Sequence, residues 1–331
     1  MSDPRDADAP SDAFQVLGSE TRLRVLRALV DDDGRPVRRT FSALHEATDE
    51  DTSAGFAYHL RQLTDRYVRK VDEAYELTYA GTEVARAVAA GTYTESVDRD
   101  PVDLSGETCP LCGNEALAAR VTDNVTTVSC EACGGDVLEL PFPPSGHGTH
   151  DDEALPSAFD THHRHRIAEF AAGVCPECGG AVDADAERAG DPGPATVTFT
   201  CVACGARLRC PTALTTLDHP AVVSFYRDHG RDVRDRPLWN VGDEWRERVV
   251  SEDPWCVRVV TRLDGEELAL YVARDATVVE TRRRSVEDGK DVEGEHGDRE
   301  NADGKGDASA DRTDREVADE AGREGSGSAS A

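Results

Sequence analysis

The sequence predicts an α+β fold class: an N-terminal winged helix-turn-helix, two four-cysteine zinc ribbons, a C-terminal helix plus β-hairpin, and a disordered acidic tail over 284–331. Three observations support this prediction. Residues 11–91 contain no cysteine and show strong helical periodicity. Four CxxCG pairs, separated by short strand-like runs, follow. From Ser285 onward the chain has 15 acidic and 6 basic residues and almost no apolar side chains, so burial cannot offset its conformational entropy.

The region 11–91 follows a polar arm at 1–10, which we expect to be disordered, and has the element order of a winged helix-turn-helix. Its predicted elements are, in order, a helix capped by the hydroxyl of Ser19, a helix over 41–47, a helix over 52–65, strands on either side of Asp72-Glu73, and a closing helix over 80–90. In this geometry the third helix enters the DNA major groove and the wing contacts the backbone.

The third helix separates an apolar face from a polar one. Phe56, Leu60 and Leu63 recur at i, i+4 and i+7 and face the core. On the opposite face Arg61 and Gln62 can reach guanine and adenine edges, and cations of the wing can contact phosphates. The predicted DNA-contacting residues are Ser53, Ala57, Tyr58, Arg61, Gln62, Arg66, Arg69 and Lys70. For each of them an ordinary solvated surface is the alternative.

A family resemblance rests on four segments of this region. SETRLRVLRALV, FSALHEA, FAYHLRQL and YELTYAG resemble the ArsR-type winged-helix regulators, especially those of halophilic archaea. The pair His59-Leu60 matches the recognition helix of that family, whereas Ala74 stands where its wing has a glycine. The resemblance implies a DNA-binding regulator. Metalloid sensing is not carried over, because the founding members sense through cysteines that this region lacks.

The cysteine blocks predict two zinc ribbons, over 105–142 and 170–216. CxxC spacing lets two thiolates of one turn reach a tetrahedral ion, and the following glycine permits the turn. The predicted ligands of two structural Zn²⁺ ions are Cys109, Cys112, Cys130 and Cys133, and Cys175, Cys178, Cys201 and Cys204. Iron in the same ligands, a redox dithiol, and pairing of knuckles between blocks remain alternatives. We expect Cys210 and Cys256 to be buried thiols.

Two further segments complete the predicted organisation. A linker with a short helix covers 143–169, and the spacing of its histidines, such as His162 and His165, suggests a further, metal-sensing site or a polar surface. The segment 217–283 is predicted as a helix followed by a β-hairpin turning at Asp264-Gly265. Residues 105–280 resemble an uncharacterised module attached to ArsR-type domains in halophilic archaea, a resemblance that implies no activity.

Composition restricts the protein class. The chain has a net charge of −29, from 66 acidic and 37 basic residues. This balance is typical of salt-accumulating halophiles, in which carboxylates keep surfaces hydrated; an acidic interaction protein is the alternative. The N-terminus has no signal-peptide pattern, and no run is long enough to span a bilayer. We therefore expect a cytoplasmic protein without a membrane partner.

These observations predict a sequence-specific transcriptional regulator that binds double-stranded DNA. We expect a homodimer that uses residues 13–17 together with Val84 and Val88, and a transcription-machinery or effector protein bound by the C-terminal region. The sequence contains no phosphate-binding loop, nucleophile elbow or HExxH motif, so we do not expect an enzyme. Two alternatives remain: a general transcription accessory factor resembling archaeal transcription factor E, and an RNA- or protein-binding zinc-ribbon scaffold.

Overall fold

The computed structural model describes residues 10–104, 106–188, 195–242 and 244–286. Within them the chain forms eight α-helices and four antiparallel sheets, which confirms the α+β class. The predicted arm, apart from Pro10, and the acidic tail beyond 286 lie outside the described residues. No helix in these ranges is both long and apolar enough to cross a membrane.

The elements are as follows. The helices are α1 (Pro10–Leu17), α2 (Glu20–Ala28), α3 (Phe41–Glu46), α4 (Ser53–Leu63), α5 (Tyr79–Ala89), α6 (Pro144–Thr149), α7 (Leu155–Ala171) and α8 (Pro220–Asp228). The strands are β1 (Arg39–Thr40), β2 (Val68–Val71), β3 (Ala74–Leu77), β4 (Arg99–Asp103), β5 (Leu117–Thr122), β6 (Val125–Cys130), β7 (Asp136–Pro141), β8 (Val182–Arg188), β9 (Ala195–Cys201), β10 (Arg207–Pro211), β11 (Trp245–Glu252), β12 (Trp255–Leu263), β13 (Glu266–Ala273) and β14 (Val278–Ser285).

The N-terminal part packs α2, α3, α4 and α5 with a small sheet of order β1-β3-β2. Phe56, Leu60 and Leu63 of α4 are buried in its core, as the helical periodicity predicts. Threonine hydroxyls at positions 40, 52 and 78 cap α3, α4 and α5. The predicted cap at Ser19 is wrong, since that residue is extended but its side chain accepts no capping hydrogen bond.

The first cysteine block forms a four-stranded sheet of order β4-β5-β6-β7, and the second a three-stranded sheet of order β10-β9-β8. The predicted start of the first block at 105 is too late, because β4 precedes it and pairs with β5. This strand has the sequence RDPVD, in which a proline and charged residues hide the alternation that normally indicates a strand.

The segment 143–169, predicted as a linker with a short helix, does contain a helix, but that helix is packed into the fold. The segment holds α6 and the 17-residue α7, whose buried side chains join two cores. Phe159 packs with the first cysteine sheet, whereas Ile167 and Phe170 pack with the second. The sequence hides this role because His163 and Arg164, both buried, interrupt the apolar periodicity.

The C-terminal segment contains more than the predicted helix and hairpin. The turn at Asp264-Gly265 is confirmed, with φ values of 48° and 80°, but the hairpin is the centre of a four-stranded sheet of order β11-β12-β13-β14. One face packs against α8 through Phe225 and Tyr226. The sequence pattern did not predict the outer strands, because their exposed positions are charged. Strand β14 continues through Arg284 and Ser285, so the predicted start of the tail at 284 is too early.

Candidate metal centres and nucleic-acid interface

The four CxxCG turns share one backbone structure. In the turn that begins at Cys109, the amide of that cysteine donates to the carbonyl of Asn114, and the amide of Gly113 donates back to the carbonyl of Cys109. The turns beginning at Cys130, Cys175 and Cys201 repeat both hydrogen bonds at the same spacing. The glycine after the second cysteine has φ between 69° and 76° in every turn, a conformation that glycine adopts at little cost.

These turns bring the cysteines together within each block, as predicted. The four sulfurs of each quartet lie within 4.8 Å of one another. Three sulfur pairs are 3.5 to 3.7 Å apart: Cys112 with Cys130, Cys175 with Cys204, and Cys178 with Cys201. A tetrahedral ion with metal–sulfur bonds of about 2.3 Å places its sulfurs about 3.8 Å apart. The sulfur geometry therefore fits two metal sites of four cysteines each.

Hydrogen bonding favours the metal-binding thiolate form at one cysteine of each quartet, whereas burial and the neighbouring thiols raise the pKa of Cys133 to about 11 and that of Cys178 to about 12. The backbone amide and side chain of Asn114 lower the pKa of the Cys112 thiol to about 7. In the second quartet the amides of Cys204 and Ala203 lower the pKa of Cys201 to about 6, against the effect of burial. A cation is needed to hold four thiolates at this spacing, because neighbouring negative charges otherwise oppose ionisation.

Burial is the same in all four turns: the first cysteine is buried and the second is exposed. Each metal would thus lie at one end of its sheet, with one side against the core. The two remaining cysteines are outside the quartets. Cys210 is buried among apolar residues, and burial raises the pKa of its thiol to about 12. Cys256 is only half-buried, so its predicted place in the core is wrong.

The histidines of the 143–169 segment do not assemble a further metal site among the described residues, where the metal-compatible groups contain cysteines alone. His163 is buried with its ring 4.4 Å from that of Phe159, and burial lowers its pKa to about 3. His147 is also buried, beside Phe142. These two histidines are packing residues, whereas His162 and His165 are exposed on α7.

The predicted DNA-contacting residues of α4 lie on one exposed surface. Ser53, Ala57, Tyr58, Arg61 and Gln62 are all exposed, while the core-facing positions of the same helix are buried. The guanidinium of Arg61 lies 6.0 Å from the Tyr58 ring centroid. The α3–α4 turn is held by the ring of His45, whose Nε2 lies 2.9 Å from the carbonyl oxygen of Glu50. His59 is half-buried.

The cations of the β2–β3 hairpin are partly neutralised. Arg69 donates to Glu76 at 2.6 Å, and Arg38 also donates to this carboxylate. These hydrogen bonds lower the pKa of Glu76 below its ordinary value, with that of Arg69 contributing most. Lys70 lies 3.9 Å from Glu73, and Arg66 is half-buried at the start of the hairpin. Carboxylates therefore neutralise the positive charge of the hairpin more than that of the exposed face of α4.

The positions proposed for dimer contacts are half-exposed or exposed. Helix α1 has no buried residue, and Phe14 on it is 71% exposed. Val16, Leu17 and Val84 pack on the edge of the N-terminal core, and Val88 is half-buried.

The charged outer face of the C-terminal sheet was missed at the sequence level. Its edge strands were not predicted, so alternation along TRRRS and WRERVV could not be assigned to a face. Period-2 counting along these runs would have found it.

Two family models match separate parts of the chain. Residues 10–88 match a family described as a domain of unknown function, DUF7347, which covers α1 to α5. Residues 106–278 match a second, DUF7351, which covers both cysteine quartets. No curated protein and no solved structure matches the chain. Since the second match spans more than half of the 331 residues, the chain belongs to the DUF7351 family of domains of unknown function.

Proposed function

We propose that the protein is a sequence-specific DNA-binding transcriptional regulator. In this proposal residues 10–91 form a winged helix-turn-helix of the ArsR-like type that binds double-stranded DNA. Residues 99–286 form a regulatory region built around two zinc ribbons. The observation that carries the proposal is the two-faced α4, buried through Phe56 and Leu60 and exposed through Arg61 and Gln62.

Several features of the N-terminal part support α4 as the reading helix. A short helix and a fixed turn precede it, and a two-stranded hairpin follows it, which is the order in which winged helix-turn-helix proteins present a recognition helix. Arginine and glutamine side chains can each make two hydrogen bonds to a base edge in the major groove. Tyr58, exposed beside Arg61, supplies a flat surface for a sugar or a thymine methyl group.

We propose Zn²⁺ as the ion of both quartets. Four cysteine thiolates in a tetrahedron are the usual ligands of structural zinc, and a closed set of four leaves no position for a substrate. The ion would hold the two turns of each quartet together and supply folding free energy. Its role would be structural rather than catalytic.

A homodimer would place two α4 helices on successive major grooves, about 34 to 36 Å apart. The exposed Phe14 and the half-buried valines of α5 are the apolar residues that such a dimer would cover. The zinc-bearing region would then contact an effector or a component of the transcription machinery.

The decisive test is chromatin immunoprecipitation of the tagged protein in its native host at native salt. The informative variant is Arg61→Ala with Gln62→Ala, and the control is Arg35→Ala, which changes an exposed arginine outside α4. Neither should alter folding by more than about 0.5 kcal/mol, since the changed side chains are exposed.

A few discrete upstream sites, lost in the α4 variant and kept in the control, would support the proposal. Enrichment at every active promoter would instead indicate a general accessory factor. No enrichment, or enrichment unaffected by the α4 changes, would overturn the assignment of α4 as the reader.

A further inference from the structure

The outer face of the C-terminal sheet is rich in arginine. Strand pairing places three rows of side chains on it, opposite the face that packs on α8. One row is Arg262, Glu267 and Arg284; the next is Arg246, Val260, Ala269 and Arg282; the third is Arg248, Arg258, Tyr271 and Glu280. The face thus carries six arginines and two glutamates.

Two apolar residues in the middle of this face are shielded from solvent. Val260 and Ala269 point to this side of the sheet, yet they are only 4% and 3% exposed and belong to none of the apolar cores. They lie across from each other in the row that Arg246 and Arg282 flank. Long arginine side chains can bury their methylene groups on apolar surface while the charged end stays in water. The flanking arginines are therefore placed to cover these two residues and to present guanidinium groups to solvent.

A buried carboxylate organises one side of the face. Glu267 is 1% exposed and accepts hydrogen bonds from Arg258 at 2.6 Å, Arg262 at 2.9 Å and Arg284 at 2.8 Å. One negative charge shared by three arginines leaves a positive excess there. On the far edge, Arg282 pairs with Glu280 and lies over the ring of Tyr271 at 5.0 Å.

Strand β11 adds two arginines without carboxylate partners across the strand. Arg248 lies directly opposite Arg258, and Arg246 opposite Val260. Both are exposed, and like charges placed opposite each other on a sheet are destabilising. The arrangement is unexpected in a chain with 66 acidic and 37 basic residues. A binding partner with regular negative charge accounts for it.

We propose that this outer face binds the phosphate backbone of nucleic acid. From the usual spacings, the three rows cover about 14 Å along the strands and about 14 Å across them. About 14 Å of duplex carries roughly eight phosphates, of which half can face one surface. Six arginines less two glutamates give a net charge of four on the face, which matches that number.

The surface fits nucleic acid better than an acidic protein. Protein interfaces usually have an apolar core surrounded by a polar rim. Here the central apolar residues, Val260 and Ala269, are already shielded, and Tyr271, which is half-buried, is the remaining large apolar side chain of the three rows. A polyanion needs no apolar centre, since its affinity comes from phosphate contacts and counterion release. This surface is separate from α4 and does not depend on α4 being a DNA reader.

The test uses the full chain and a fluorescently labelled DNA duplex of mixed sequence, with binding followed by anisotropy across a KCl series. The variant is Arg246→Gln with Arg248→Gln, which leaves the partners of Glu267 in place. The matched control is Arg231→Gln with Arg234→Gln, an equal charge change at exposed arginines beside α8. Each is also made in the Arg61→Ala, Gln62→Ala background, and far-UV circular dichroism verifies folding.

We expect the outer-face variant to reduce the slope of log affinity against log salt by about 2, one unit for each lost phosphate contact. At the lowest salt its affinity should fall tenfold or more below that of the control. The same difference should persist in the α4 background, which separates this surface from the proposed reader. Arg246→Lys with Arg248→Lys should restore most of the slope.

Three results would overturn the proposal. One is equal salt dependence in the outer-face variant and its control. A second is competition by a poly-glutamate peptide as effective as that by duplex of equal total charge, which would indicate an acidic protein as the partner. Loss of all binding on changing α4 alone, with the outer-face variant unaffected, would leave the regulator proposal standing and remove this one.

Discussion

The N-terminal helical part and the cysteine-bearing region build their cores in different ways. In the first, aliphatic and aromatic side chains of α2, α4 and the hairpin fill the interior, and residues 10–91 contain no cysteine. In the second, the buried cysteines of each quartet lie at the ends of small sheets, and Cys109 and Cys130 are themselves part of the core. From this comparison we expect apolar burial to hold the N-terminal part, and the two cysteine-bearing sheets to depend on a bound ion as well.

Removing the metal should produce the largest difference in stability between the two regions. Structural zinc contributes about 10 kcal/mol or more to the folding of small domains. We expect a chelator to abolish amide hydrogen-exchange protection in the strands that carry the quartets, while α2 and α4 remain protected in the same molecules. Equal loss of protection in both regions would contradict the proposed difference.

A pair of cysteine variants gives the matched form of this test. Cys109→Ser removes a buried member of a quartet, and Cys210→Ser changes a buried cysteine outside both. Elemental analysis should find one metal ion per chain in the first variant and two in the second. Cys210→Ser should cost only about 1–3 kcal/mol, the penalty for a buried polar group without a partner.

Removing one large core side chain from each region should show whether the two regions unfold independently. Phe56 is fully buried in the N-terminal core, and Phe170 is 1% exposed between α7 and the second cysteine sheet. Each Phe→Ala change should cost about 3–5 kcal/mol. Only Phe170→Ala should speed metal release to a chelator, as a chromogenic chelator would record. Faster release from Phe56→Ala would show that the two regions unfold together.

Prediction from the sequence was most accurate where a single local pattern determines the structure. The periodicity of Phe56, Leu60 and Leu63 and the spacing of CxxCG depend on local geometry, and the structure places both as expected. Prediction was poor where tertiary contacts override local pattern. Helix α7 buries the ion pair of Asp160 and Arg164, whose burial no amphipathic pattern reveals. Strand β14 is polar at six of its eight positions, three of which are arginines, so no apolar alternation marks it as a strand.

Lowering the pH should weaken the interaction of Glu267 with its arginine partners, which lies within the C-terminal sheet. Burial acts to raise the pKa of Glu267, but hydrogen bonds from Arg284 and Arg262 outweigh it and lower the pKa below its usual value. The ionised form therefore contributes stability that is present above the ordinary glutamate pKa of about 4.3. That stability is lost as pH falls through the lower folded pKa.

Glu267→Gln should remove this pH dependence and cost roughly 1–3 kcal/mol at neutral pH, since three arginines lose a charged partner. Thermal unfolding of both chains across the acid range would measure it. Acid releases metal from both chains alike, so the difference between their unfolding temperatures reports the effect of the Glu267 carboxylate alone. A constant difference from neutral to acid pH would show that Glu267 does not stabilise the fold as an anion.

The smallest expected effects come from two helix caps within the N-terminal part. Thr52 accepts a hydrogen bond from the amide of Gly55 at 3.1 Å, whereas Ser19 occupies the equivalent position before α2 without such a bond. Thr52→Ala should therefore cost about 1 kcal/mol, the usual value for a lost capping hydrogen bond, and Ser19→Ala a few tenths at most. Chemical denaturation followed by helical circular dichroism would measure both. Equal costs would mean that Ser19 caps α2 in solution, as its sequence position first suggested, and that the N-terminal helices share one capping pattern.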